Sequence, residues 1–140
     1  MKKIFLDTNI VLDLIEKREG LMCARRILEF ASDTGNRLYV SALTMANAAY
    51  VVRRRPAAEV KQCLGEFMDY LNVLPMNDMQ IYEAVRSGTS PDFEDNLQII
   101  CAEYGGCDLI ISHNLSHFRG HTDIPVLSPQ EFVSHCCVES

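Results

Sequence analysis

The first sixteen residues, MKKIFLDTNIVLDLIE, constrain the fold of this chain more than any other segment. A short apolar run, Ile4-Phe5-Leu6, leads directly into Asp7, Thr8 and Asn9 and then into a helical pattern. An apolar strand that passes straight into a helix is typical of a parallel sheet, and such sheets bind ligands at the carboxyl ends of their strands. Asp7 is therefore the first candidate functional residue. Because Asp, Thr and Asn also cap helices without any ligand, this junction alone leaves a purely structural role open.

Short apolar runs alternate with helical patterns along the rest of the chain. Strands separated by one or two helices imply right-handed crossovers, which produce a parallel sheet with helices on both faces. The sequence therefore predicts a single three-layer α/β/α domain over residues 1–140, with a central parallel sheet of four or five strands and a tail that frays beyond about Val133. The predicted strands lie at 4–6, 38–40, 73–74, 109–111 and 126–127. The predicted helices include 57–70 and 77–87, and others lie before Gly35, between Ser41 and Pro56, before Gly105 and after Ser128.

The composition is ordinary for a globular domain, with 140 residues of which 48% are hydrophobic and 23% charged. The amino terminus lacks the apolar segment of a secretory signal, and no apolar run approaches membrane-spanning length. We therefore expect a cytoplasmic protein with no membrane partner. The six cysteines are scattered and form no C-x-x-C pair, which favours reduced thiols.

The formal net charge of −6 argues against a protein that coats nucleic acid through bulk electrostatics. It leaves open an enzyme whose acids surround a bound cation, because the cation reverses the local field. The main local exception is the run Arg53-Arg54-Arg55. Such a short basic run is typical either of a solvated helix end or of a phosphate contact.

A second group of acids, Asp92-Phe93-Glu94-Asp95, opens another helical pattern. Residues three apart in a first helical turn project from nearly the same face, so Asp92 and Asp95 are spaced to share a divalent cation. Glu94 is expected to point elsewhere. The alternative is that these acids only cap the helix and offset its dipole.

Together these motifs make the chain resemble the PIN-domain family, the metal-dependent ribonuclease fold of many bacterial toxins of the VapC type. Each motif is short, and their order and spacing over nearly the whole chain carry the resemblance. The motifs are LDTN at 6–9, SALT at 41–44, DFED at 92–95, ISHNLSHF at 111–118 and IPVLSPQEF at 124–132.

The resemblance implies an endoribonuclease with Mg²⁺ or Mn²⁺ in an acidic pocket, acting as the toxin of a toxin–antitoxin pair. Asp7 and Asp95 match family acids that hold the metal, and Asp92 is an accessory acid that orients a metal-bound water. Asn9 and Asn114 match polar residues that line the pocket. Oxygen ligands suit these hard cations, which neutralise phosphate charge and lower the pKa of bound water. An RNA substrate, an antitoxin protein and a homodimer, for which the apolar helices at 57–86 offer surface, are the partners that the family implies.

Two positions depart from the family pattern. Asn47 stands where a pocket-facing Glu is usual, on a face shared with Leu43, Tyr50 and Val51 that the apolar pattern turns toward the interior. His117 stands where an Asp is usual, and we expect it to enter the pocket as a metal ligand. Because imidazole favours Mn²⁺ and heavier ions over Mg²⁺, both changes predict weaker Mg²⁺ binding and a single well-held metal.

The spacing of His113, His117 and His121 allows a different interpretation, since three histidines four apart would stack on one face of a continuous helix. Gly120 and the surrounding loop-like sequence argue against such a helix. An independent transition-metal site is therefore not expected.

One other functional class stays open, and a further one is disfavoured. The loss of two acids leaves room for a catalytically impaired PIN-fold module that binds RNA or a protein partner. A phosphatase with Asp7 as nucleophile is disfavoured, because the D-x-D-x-T pattern of such enzymes is broken at Asn9.

Overall fold

A computed structural model describes residues 2–137 of the chain. The strands are β1 (Lys3–Leu6), β2 (Arg37–Ser41), β3 (Leu71–Leu74), β4 (Leu109–Ile111) and β5 (Val126–Leu127). The helices are α1 (Thr8–Glu16), α2 (Leu21–Thr34), α3 (Ala42–Val51), α4 (Ala57–Tyr70), α5 (Asp78–Ser87), α6 (Phe93–Tyr104), α7 (Leu115–Phe118) and α8 (Pro129–Phe132), followed by a π-helix (Val133–Cys137).

The five strands form one sheet in the order β3-β2-β1-β4-β5, and every neighbouring pair is parallel. The chain runs outward from β1 through β2 to β3, and then returns to the other side of β1 for β4 and β5. The strand order thus reverses between β1 and β4, and open α/β sheets bind ligands at such a switch point. The predicted parallel sheet is confirmed, and Asp7 lies directly at its switch point.

Both faces of the sheet are buried, which explains why the strands are nearly continuous apolar runs. Alternate strand residues point to opposite faces. Ile4 and Leu6 belong to a core cluster that includes residues of α1, α2 and α3, whereas Phe5 belongs to a second cluster with residues of α6 and α7. Helices therefore cover the sheet on both sides, as the three-layer prediction requires.

The helix boundaries follow local signals that the sequence carries. Gly35 ends α2 with φ at 72°, a left-handed conformation that favours glycine. The Ser41 hydroxyl caps α3 by accepting a hydrogen bond from the Thr44 amide. Pro56 separates α3 from α4. The predicted apolar stripe of α4 is half-buried at Val60, Leu64 and Phe67.

One helix face differs from the expectation. In α3 the residues turned into the protein are Thr44 and Ala48, both almost fully buried. The face with Asn47 and Tyr50 instead lines an open cavity, and Tyr50 is 64% exposed. The apolar pattern was misleading here because two small residues, one polar and one apolar, are the most deeply buried ones of this helix.

The carboxyl-terminal segment continues further than expected. Residues 133–137 form the π-helix, and Val133 and Cys136 pack against the main core cluster. The remaining part of the tail that we expected to fray, residues 138–140, lies outside the described residues. None of the described helices is both long and apolar enough to cross a membrane.

Candidate active site

A cavity of about 390 Å³ opens at the carboxyl ends of β1 and β4. Its lining combines carboxylates and amides with apolar groups and one aromatic ring. Among the described residues that line it, none is Lys or Arg. The lining residues are Asp7, Thr8, Asn9, Leu12, Leu43, Asn47, Tyr50, Val51, Asp92, Glu94, Asp95, Gln98 and Asn114.

Asp7 is 97% buried, with 3% of its surface exposed, at the end of β1. Its Oδ1 accepts hydrogen bonds from the Thr8 amide at 2.8 Å and from Gln98 Nε2 at 3.2 Å. Its Oδ2 accepts from the Ser112 hydroxyl at 2.9 Å. A helix cap normally accepts from an amide two or three residues on. The Asp7 carboxylate contacts only the first amide of α1 and is held mainly by distant side chains, so capping does not account for its position.

Gln98 connects Asp7 to β2 and α3. Its side chain is 1% exposed, and its amide nitrogen lies 3.1 Å from Thr8 Oγ1 and 3.0 Å from Thr44 Oγ1. The Ser41 hydroxyl donates to Gln98 Oε1, which fixes the orientation of the amide. Sequence reasoning missed Gln98, although its place three residues after Asp95 puts both side chains on one face of α6.

Asp92, Asp95 and His117 converge at the amino end of α6. One ligand atom from each of the three residues lies within 4.8 Å of the others. Asp92 also accepts a hydrogen bond from the Asp95 amide at 3.0 Å, so it caps α6 as the structural alternative predicts. His117 Nδ1 lies 2.9 Å from Asp95 Oδ2, which brings His117 to the acids as expected.

Asp7 lies outside that group of three, but it lines the same cavity as Asp92 and Asp95. The pKa of the Asp95 carboxyl is raised to about 6, mainly by burial and also by the negative charges of Asp7 and Asp92, although the hydrogen bond from His117 opposes the shift. The site therefore concentrates the negative charge of several carboxylates, and no Lys or Arg among its described lining residues neutralises that charge. A divalent cation would relieve that repulsion, and carboxylate oxygens beside one imidazole are a donor set that Mn²⁺ or Mg²⁺ accepts.

The other predicted pocket residues are also at the cavity. Asn9, Asn47 and Asn114 all line it, and Asn9 Oδ1 accepts a hydrogen bond of 3.4 Å from Arg18. Glu94 differs from the expectation, because it lines the cavity instead of pointing away from it. It adds another carboxylate to the lining.

The three histidines of the segment 113–121 do not gather. His113 Nε2 lies 2.7 Å from the buried Asp13 Oδ2, and His121 Nδ1 lies 2.7 Å from Thr89 Oγ1. Of the three, only His117 reaches Asp92 and Asp95, because α7 is a single turn that ends at Phe118. Among the described residues, the three histidines therefore lie against three different partners.

The matches to known proteins agree with this architecture. A family model for the PIN domain matches residues 3–116. The chain belongs to the PIN-domain family.

Individual relatives extend the similarity over the whole domain. "Ribonuclease VapC1" from Aquifex aeolicus (strain VF5) is 25% identical, and the alignment covers 94% of this chain and 93% of that protein. The fold is similar to that in the crystal structure of VapBC2 from Rickettsia felis bound to a promoter DNA fragment, with a TM-score of 0.70, 16% identity and 90% and 98% of the two chains covered. It is also similar to that in a toxin-antitoxin complex from Klebsiella pneumoniae, with a TM-score of 0.67, 20% identity and 90% and 97% covered.

Proposed function

We propose that this PIN domain is a divalent-metal-dependent endoribonuclease and acts as the toxin of a toxin–antitoxin pair in the cytoplasm. The observation that carries the proposal is that Asp7, Asp92 and Asp95 line one open cavity at the switch point of the sheet, while His117 groups with Asp92 and Asp95. The similarity to a protein named as a ribonuclease supports RNA as the substrate class.

The residues that would hold the metal are Asp7, Asp92, Asp95 and His117. A bound Mg²⁺ or Mn²⁺ supplies charge neutralisation of the phosphodiester and a water of lowered pKa. Asp7 is kept in place for this by Ser112 and the amide of Gln98.

The remaining polar side chains bind substrate. Asn9, Asn47 and Asn114 carry amide groups that can donate hydrogen bonds to phosphate oxygens without adding charge. Asn47 brings no carboxylate where the family usually has one, and His117 replaces another. The chain therefore holds one metal ion well, and prefers Mn²⁺ to Mg²⁺ because of the imidazole.

Two protein partners follow from the same reasoning. An antitoxin would place a basic side chain among the acids of the cavity, which lacks Lys and Arg among its described lining residues. The similarity to a structure described as a toxin-antitoxin complex supports such a partner. A homodimer would cover α5, where Met79, Ile81, Tyr82 and Val85 are 44% to 64% exposed.

The experiment is a cleavage assay on structured RNA with Mg²⁺ or Mn²⁺. The protein is compared with Asp7→Asn, which keeps the size of the side chain, and with Asp69→Asn, a matched change of an exposed acid on α4. We expect Asp7→Asn to lose more than about 100-fold in rate, as when another charge-stabilising group is removed from an active site, and Asp69→Asn to cut normally. RNA binding without cleavage under either ion would instead favour the catalytically impaired module.

A further inference from the structure

We propose that Tyr50 is the platform on which an RNA base next to the cleaved phosphate stacks, and that Arg53 contacts the adjoining phosphate. This inference rests on the proposed ribonuclease function and names a specificity-determining pair for it. It follows from three features of α3: the composition of its cavity face, the ordering of the Tyr50 ring, and the charge beside it.

The cavity face of α3 is half-buried at Leu43 and Asn47 and exposed at Tyr50. Leu43, Asn47 and Tyr50 follow one another at helical spacing and line the same cavity as Asp95. Tyr50 is 64% exposed, which leaves most of a large ring in water at the mouth of an acidic site. A cavity lined both by carboxylates that could hold a metal and by an exposed aromatic ring matches a nucleotide, which has a phosphate at one end and a flat base at the other.

The Tyr50 ring is held in place by Arg53, which lies in the turn just after the end of α3. Arg53 Cζ lies 3.8 Å from the centroid of the ring, and Arg53 Nη1 donates a hydrogen bond of 2.8 Å to the Tyr50 carbonyl. A guanidinium stacked on the ring orders both side chains before any ligand arrives. Stacking of a base on such a preordered platform costs less conformational entropy than stacking on a free side chain.

The charge beside Tyr50 favours RNA over a basic peptide at this part of the cavity. Arg53, Arg54 and Arg55 are all exposed, and they concentrate positive charge in a chain whose formal net charge is −6. Arg55 lies 3.9 Å from Glu16, while the Arg53 guanidinium sits over the ring. A cationic cluster attracts a phosphate backbone and repels the basic side chain of a peptide partner.

A second tyrosine provides a matched control. Tyr82 on α5 is 57% exposed and has Arg86 Cζ 5.3 Å from its ring centroid, so it repeats the exposure and the cation. It does not line the acidic cavity. Tyr82 also lies on the α5 face proposed for the homodimer, so the comparison is made in a Val85→Arg background, which is expected to be monomeric and to expose both tyrosines. If exposed tyrosine–arginine pairs bind RNA bases in general, both sites then respond equally, and only a role in the active site separates them.

The test uses single-stranded RNA oligonucleotides in which 2-aminopurine is moved one position at a time, because stacking quenches its fluorescence. The binding measurements are made with Mn²⁺ in the Asp7→Asn background, so that the RNA is not consumed. We expect the fluorescence to be quenched at one position of the oligonucleotide. Tyr50→Ala should abolish that quenching and lower the affinity for the RNA about 5- to 100-fold, as for other bases stacked on aromatic residues. Tyr50→Phe retains the quenching, and Tyr82→Ala leaves it unchanged.

Arg53 is tested through the salt dependence of the same binding. Loss of one phosphate contact lowers the slope of log affinity against log salt by about 0.7 for a single strand. We expect that decrease for Arg53→Ala and none for Arg86→Ala. Because Tyr50 and Arg53 are exposed, thermal melting serves as the check that each variant is folded.

The outcomes separate this inference from the proposed catalysis. If the protein does not cut RNA but Tyr50→Ala abolishes quenching, the base platform stands and the ribonuclease proposal fails. If the protein cuts RNA and Tyr50→Ala neither changes quenching nor raises KM, the platform is overturned and the ribonuclease stands. Absence of quenching at every position also overturns it. The platform is also overturned if Tyr50→Ala binds hexaarginine more weakly while the quenching of RNA is unchanged. That result would assign the Tyr50 part of the cavity to a basic peptide.

Discussion

Gln98 donates a hydrogen bond of 3.2 Å to Asp7 Oδ1 across 91 positions of sequence. The same amide nitrogen lies within hydrogen-bond distance of Thr8 and Thr44, and its carbonyl oxygen accepts from Ser41. These contacts tie the carboxyl ends of β1 and β2 to α6. The orientation of the central carboxylate thus depends on a neutral residue that carries no charge of its own.

Gln98→Leu tests this dependence. The change keeps the size of the side chain but leaves the Ser41 hydroxyl and Asp7 Oδ1 without that partner, so we expect a loss of about 1 to 3 kcal/mol in the free energy of unfolding. We also expect Mn²⁺ affinity to fall about 10- to 100-fold, as for other residues that orient metal ligands. Urea denaturation and calorimetric titration measure the two effects. The control is Gln62→Leu on the exposed side of α4, and equal behaviour of the two variants would contradict the prediction.

Much of this arrangement was predictable because its signals are local. The apolar runs gave all five strands, and Gly35, Ser41 and Pro56 marked the ends of helices through backbone conformation and capping. The acids at Asp7 and Asp95 were identified from their positions at element boundaries. Their grouping into one metal site stays a prediction that the experiments above test.

The features that were missed depend on distant contacts or on very short elements. Gln98 has its role only because its partners come from 54 to 91 positions away. Tyr50 was assigned to an interior face because its apolar pattern is indistinguishable from that of a core helix. The four-residue helix α7 is too short to show a period, yet it sets the position of His117.

The stability of the cation-free protein is predicted to depend on the proton of Asp95. The pKa of this carboxyl rises from its ordinary 3.8 to about 6 in the folded protein, first because of burial and then because of neighbouring charge. Folding therefore favours the protonated form, and the stability that this proton contributes is complete below about pH 4 and is lost as the pH rises through about 6.

Asp95→Asn mimics the protonated carboxyl and isolates this effect from other titrating groups. We expect the variant to equal the parent near pH 4 and to exceed it near pH 7.5 by about 1 to 3 kcal/mol, since one pKa unit is worth about 1.4 kcal/mol. Denaturation in EDTA at both pH values gives the difference. Saturating Mn²⁺ should stabilise the parent more than the variant, and a pH-independent difference would contradict the assignment.

The choice of metal is predicted to depend on His117. His117→Asp replaces an imidazole with a hard oxygen ligand, so Mg²⁺ affinity should rise about 10-fold and the preference for Mn²⁺ should shrink. Asn47→Glu, which adds a carboxylate to the lining of the cavity, should add to the gain. His121→Asp is the control, because His121 pairs with Thr89 and is not among the grouped ligands. Calorimetric titration with both ions tests this, and an unchanged Mn²⁺ to Mg²⁺ ratio would reject it.

The exposed face of α5 is predicted to form the homodimer interface. Val85 is 64% exposed between other apolar residues of this helix, so Val85→Arg would bury an unpaired charge in the dimer. We expect a dimer for the parent and a monomer for this variant in light scattering. Met22→Arg changes an equally exposed residue on α2, at 67%, and should leave the dimer intact. A parent that stays monomeric at every concentration would remove the basis of the prediction.

Gly20 is predicted to be required by the pair that the buried Asp13 forms with the exposed His113. A Cβ at this position would lie 2.3 Å from Asp13 Oδ2, the atom that lies 2.7 Å from His113 Nε2. Gly20→Ala must displace the carboxylate from its partner, and we expect a loss of about 1 to 3 kcal/mol in the free energy of unfolding. Gly65→Ala is the matched control, since nothing lies within 4 Å of its Cβ inside α4. That change should instead stabilise the protein by about 0.5 to 1 kcal/mol, because alanine favours helices over glycine.

A double-mutant cycle identifies the cause of the Gly20→Ala effect. If the loss comes from separating the Asp13 carboxylate from His113, it shrinks when His113→Gln has already weakened the pair. The cycle should then give a coupling energy of about 0.5 kcal/mol or more. Additive losses would place the strain elsewhere around Gly20, and urea denaturation of the four proteins distinguishes the two results.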